Sequence, residues 1–77
     1  MTRYFFDIAD GDDDIDAEGV TFENDQAAIE EAVRYAGGMV RDEPATVTST
    51  GTFVVSVRRG PSTPVATIRV ELSRHRA

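Results

Sequence analysis

The chain contains no cysteine and no lysine among its 77 residues. Without cysteine there is no disulfide staple, no thiolate metal ligand and no thiol nucleophile. An arginine-only basic set is read here as a mark of GC-rich coding sequence rather than of function. No apolar run approaches the ~20 residues that a membrane-spanning helix needs. Nor does a basic segment lead into an apolar one, as in a signal peptide. A soluble cytoplasmic protein is expected on those grounds. Histidine occurs once, as His75, the third residue from the end of the sequence. No G-x-S-x-G, no phosphate-cradling glycine loop and no Ser-His-Asp framework is present. No enzymatic activity and no cofactor are expected.

What is present suits one small folded domain. Apolar residues make up 40% of the chain and recur with clear periods. A chain of this length buries only about 60% of the surface that its unfolded form exposes. Its core must be tightly packed or completed by a partner surface. Charge is unevenly placed. Residues 1–43 hold thirteen of the fourteen acidic side chains against Arg3, Arg34 and Arg41. Residues 44–77 hold Arg58, Arg59, Arg69, Arg74 and Arg76 against Glu71 alone. An acidic half and a basic end suit self-association or a charged protein partner. The net charge of −6 disfavours non-specific nucleic-acid binding, which wants positive charge.

Residues 2–8, "TRYFFDI", read as a strand, with Tyr4, Phe6 and Ile8 on one face and Arg3, Phe5 and Asp7 on the other. The Asp10-Gly11 dipeptide marks a hairpin turn, and a short return strand is expected over residues 13–16. Residues 17–19 turn again. Residues 24–43 form the expected helix. Ile29, Ala32, Val33, Ala36 and Val40 fall on one face, flanked by Ala28, Tyr35 and Met39. Asp25 is the expected N-cap, and Glu30–Arg34 is a favourable pair one turn apart. Gly37 and Gly38 each cost about 1 kcal/mol against alanine. The apolar period continues beyond them, so the helix is expected to run on until Pro44. A polar connection over 45–51 leads to a strand over 52–57 with Phe53, Val55 and Val57 on one face. The breakers Gly60, Pro61 and Pro64 form a turn. A last strand over 65–72 places Ala66, Ile68, Val70 and Leu72 opposite Val65, Thr67, Arg69 and Glu71.

The expected fold is α+β: a two-layer β-β-α-β-β arrangement, a mostly antiparallel sheet with one helix on one face. Residues 1–73 make the domain and 74–77 a frayed tail. The opening M-x-R-Y-F-F-D-x-x-D-G from Met1 to Gly11 resembles that of a family of short bacterial proteins, a domain of unknown function. Asp16-x-x-Gly19, Asp25 before the helix, "RDE" at 41–43 and the Val57-Arg58 strand match as well. The turn "RRGPSTP" and the Gly37-Gly38 pair depart from the usual pattern. That resemblance implies a fold and a size, and carries no catalytic residues. A looser similarity over residues 1–40, with M-x-x-Y and the Glu30-Glu31-Ala32 element, is to HicB-type antitoxins. It implies a partner that acts on RNA.

Residues 10–19, "DGDDDIDAEG", hold six carboxylates. Read as a calcium loop from Asp12, the ligands would be Asp12, Asp14, Asp16 and Glu23. Position 6 of that loop is Ala17 where the sharp turn calls for glycine, and a strand precedes it where a helix should. A solvated acidic hairpin is the plainer reading. A general acid must be buried enough to raise its pKa, and these carboxylates have almost no apolar neighbours. On the outer sheet face, Phe5, Val54 and Val65 form a candidate apolar centre ringed by Arg58 and Arg69. The expected function is a non-enzymatic protein-interaction or self-association module, with a homodimer possible. The alternatives are an antitoxin-like partner of an RNA-acting protein and a weak calcium-binding module.

Overall fold

A computed structural model describes residues 1–76. Alternating side chains build the sheet. Strand β1 (Thr2–Ala9) is central and pairs antiparallel with β4 (Thr52–Arg59), from Tyr4 opposite Arg59 to Ala9 opposite Val54. β4 pairs in turn with β5 (Thr63–Glu71). Along its other edge β1 meets two short strands. Its first residues pair with β3 (Val20–Phe22) and its last two with β2 (Asp13–Asp14). The order is β2-β1-β4-β5, with β3 beside β2 on β1. The antiparallel α+β architecture is as the sequence predicts, but its element order is richer than β-β-α-β-β. The return strand is two residues long rather than four, and Val20–Phe22 adds a strand of its own.

Helix α1 (Asp25–Asp42) crosses the inner face of the sheet and packs mainly on β4 and β5. It passes through Gly37 and Gly38 without a break. Its buried line is Ala28, Ala32 and Ala36, with Met39 packed beside them. Alanine lets the helix axis come close to Phe53, Val55 and Val57, which with Tyr4 are the largest fully buried side chains. The apolar stripe read from the sequence is therefore wider than the buried one. Val33 and Val40 remain exposed at 52% and 39%.

Three local expectations are corrected. The N-cap is Asn24, whose side-chain oxygen accepts from the Ala27 amide at 2.9 Å. Asp25 is free for another role, described below. Arg34 bonds Glu31 rather than Glu30, which instead accepts from Gln26. Residues 45–51 are not a plain connection: Pro44–Thr50 form a short helix, α2. Pro44 occupies its first turn, where a missing amide hydrogen costs nothing, and Val47 is buried beneath it.

The β4–β5 ladder carries an irregularity between Val57 and Arg58. Val57 opposes Ala66, and Arg58 opposes Pro64, so Val65 is the extra residue. A bulge of this kind changes which face the strand's residues present. It turns Val65 to the helix side, where it packs against the core. Val65 thus does not join Phe5 and Val54 on the outer face. Leu72, expected in the core, is 38% exposed. The stretch 72–76 has no regular secondary structure; Arg74 donates to the Thr48 carbonyl at 3.3 Å. Ala77, the last residue of the expected tail, lies outside the described residues.

A Cβ on Gly37 would meet nothing within 4 Å, and one on Gly38 only the tip of Arg41 at 4.0 Å. Both have ordinary helical backbone. Gly38→Ala should raise the free energy of unfolding by about 1 kcal/mol, read from the urea midpoint at unchanged slope.

Candidate functional site

Two constellations concentrate the chemistry: a polar node on the outer face and an apolar trough on the inner one. The node begins with a gap. Between β2 and β3, the middle of β1 has no strand along its edge. Asp16 fills that gap. Its carboxylate accepts from the Phe6 amide at 3.1 Å, while its own amide donates to the Asp7 carboxylate at 3.0 Å. Its other oxygen accepts from the amides of Glu18 and Gly19 at 3.0 and 3.1 Å. Gly19 sits at φ +73°, and a Cβ there would lie 2.8 Å from the Tyr4 carbonyl oxygen. Only glycine fits so close to β1.

Arg58, on the neighbouring strand, closes the node. Its Nε and Nη2 donate to both oxygens of Asp7 at 2.7 and 2.9 Å. The same guanidinium bonds the carbonyls of Asp16 and Pro61, and lies 4.9 Å from the centre of the Phe5 ring. The Arg58 hydrogen bond holds the Asp7 carboxyl below the usual range. Burial pushes Asp16 up, but the amides of Gly19, Phe6 and Glu18, with Arg58, outweigh it and its pKa falls. A second link joins helix to sheet. The Tyr4 hydroxyl donates to one oxygen of Asp25 at 2.5 Å, and Arg59 donates to the other at 2.7 Å. The Tyr4 hydroxyl and Arg59 together lower the Asp25 pKa, and Asp25 raises that of Tyr4.

These contacts redistribute the expected site residues. Phe5 and Arg58 do meet, as cross-strand partners. Val54 opposes Arg69 further along the sheet, and Val65 has turned inward. Phe5 is capped by a guanidinium instead of heading an apolar patch. The calcium candidates also part company. Asp16 is turned to backbone amides, and Asp14 opposes Ile8 across the β1–β2 ladder. Among the described residues, no group of three or more His, Cys, Asp or Glu side chains could hold a metal ion. His75 is exposed near the end of the chain.

The sequence pattern alone does not reveal the trough. Because α1 seats over β4 and β5, the inner face of β1 and β3 is left partly open. A cavity of about 310 Å³ runs there, lined by Phe6, Ile8, Val20, Phe22, Tyr35, Val55 and Glu31. Phe22 stands edge-on to both Tyr4 and Phe6, with ring centres 6.1 and 5.9 Å apart. Val20 is 52% exposed at the rim, and Tyr35 44%. Among the described residues, Glu31 is the only charged one lining the cavity. The alternation of Val20 and Phe22 was the available signal, masked by the acidic stretch before it.

A family model for a domain of unknown function, DUF6894, matches residues 3–71. The chain belongs to the DUF6894 family. The match takes in β1 through β5, and so both the node and the trough. No curated protein and no solved structure matches the chain.

Folding lowers the pKa of Asp7, Asp16 and Asp25. Their stabilisation is therefore in force above the unfolded aspartate pKa of about 3.9, and is lost as pH falls through the lower folded values. Urea midpoints should hold between pH 7 and 5 and drop below about pH 4. Asp7→Asn should lower the plateau and flatten the acid limb. Gly19→Ala should destabilise the fold by more than ~1 kcal/mol at every pH, measured by the same titration.

Proposed function

We propose that this domain is a non-catalytic protein-interaction module, and that the trough between α1 and β3 receives an apolar segment of a partner. The open trough carries the reading. A concave opening of this size lined by aromatic and branched side chains is the default place for a partner group to bind. Its surroundings are acidic: Glu31 lines it, and Asp14 shares the register position of Ile8. A segment with apolar side chains for the floor and basic ones for the rim would fit.

The node supports the non-catalytic half of the reading. A general acid at neutral pH needs a raised carboxyl pKa. Asp7, Asp16 and Asp25 all shift the other way, and each is already engaged by arginine or by backbone amides. Their geometry serves to hold strands and helix together. An antitoxin-like role is a special case of the interaction reading. It is favoured only by the acidic rim, which suits a basic partner.

A photo-reactive residue at position 20, introduced in the producing cell, should cross-link one discrete partner. The same group at position 62, in the β4–β5 turn, should not. Val20→Glu should abolish co-purification of that partner while leaving the circular dichroism spectrum unchanged. Diffuse cross-linking equal at both positions would refute the trough as a binding site.

A further inference from the structure

A second surface is left incomplete, and it lies on the opposite side of the molecule from the trough. Among the described residues β5 is the longest strand, with nine residues, and is paired on one side only. The Leu72 amide donates to the Gly51 carbonyl at 2.9 Å. Antiparallel ladders alternate, so the even-numbered residues of the regular stretch direct their backbone groups to β4. Thr67, Arg69 and Glu71 then present their amides and carbonyls to the free edge. Long free edges invite pairing unless they are blunted. Pro64 and the bulge blunt only the first part of β5.

We propose that the partner at this edge is a second copy of the chain, joined across a two-fold axis at Val70. The charges select that register. Arg69 and Glu71 share the outer face, are exposed, and have no ion-pair or hydrogen-bond partner among the described residues. With Val70 on the axis, each Arg69 stands opposite the other copy's Glu71. Both pairs are also of the type that exchanges two backbone hydrogen bonds. Shifting the axis to Arg69 would set the two arginines against each other. Shifting it to Thr67 would set Arg69 against Val65 and Glu71 against Thr63, leaving both charges unmatched. On the inner face, the chosen register brings Ile68 against Leu72, which covers the exposed leucine.

Helix α1 supplies an independent observation. Tyr35 marks the flank facing the trough. At about 100° per residue, Ile29, Val33 and Val40 lie about 120° or more around the axis from it. That is the flank above the β5 edge, and there Val33 and Val40 are exposed. Strands across the two-fold would be about 4.8 Å apart, so a helix seated over β4 and β5 would lie about 10 Å from its copy. Helices pack at that separation. The same operation therefore pairs the free strands, matches the free charges and buries the uncovered valines.

Sedimentation equilibrium over a concentration series tests this directly. Wild type should form a dimer. Arg69→Glu and Glu71→Arg should each weaken dimerisation by roughly tenfold or more, because each sets like charges opposite one another twice. An equimolar mixture of the two variants should restore dimers, and so should the double variant R69E/E71R. Both positions are exposed, so folding should survive, as circular dichroism would verify. A wild-type monomer at millimolar concentration would overturn the proposal. So would a dimer indifferent to both charge reversals, or single variants that the mixture fails to rescue. Val20→Glu, which disables the trough, should leave this dimer intact, so the two surfaces fail or stand separately.

Discussion

The sheet depends on a carboxylate that takes the place of a strand. β1 lies at the centre of the fold, yet between β2 and β3 its edge faces a turn. An amide there that was shut off from water and left unpaired would cost about as much as a lost hydrogen bond. Asp16 satisfies the Phe6 amide and folds its own loop by taking the amides of Glu18 and Gly19. Burying that charge is unfavourable by itself. Hydrogen bonds to the ionised form and the nearby Arg58 reverse the balance, as they must for a charge removed from water. Gly19 can lie against β1 because it has no side chain, and Arg58 can reach across because Asp7 holds it.

The same economy of space shapes the other layer. An alanine-faced helix approaches the sheet closely, and the larger apolar side chains of α1 are displaced to its two flanks. On one flank Tyr35 overlooks the trough; on the other Val33 and Val40 overlook the β5 edge. Asp25 fixes the position of the helix by joining its first turn to Tyr4 and Arg59 on neighbouring strands. Both unfilled surfaces follow from that placement. A helix centred over β1 would cover the trough, and a larger face than alanine would lift the helix and open the core.

Much of this was legible in the sequence. The alternation in β1, β4 and β5, the helix through Gly37 and Gly38, and the buried Tyr4, Phe53, Val55 and Val57 all follow from periodicity. Register and side-chain competition were not. The Val65 bulge depends on how the turn at residues 60–62 closes, which periodicity does not encode. Asn24 and Asp25 are both good caps, and only the position of Tyr4 and Arg59 decides between them. Six carboxylates in ten residues look alike in a string of letters. One of them is the centre of a hydrogen-bond network because the strand beside it has a gap, a fact of three dimensions. Residues 45–51 lack a helical apolar period, and Pro44 reads equally as a stop and as a start.

The topology also orders the making of the molecule. β1 and its long partner β4 are separated in sequence by two helices and two short strands. Until residue 59 has emerged, Tyr4 has no register partner on that side. The β4–β5 hairpin, local in sequence, closes before the distant β1–β4 pairing can.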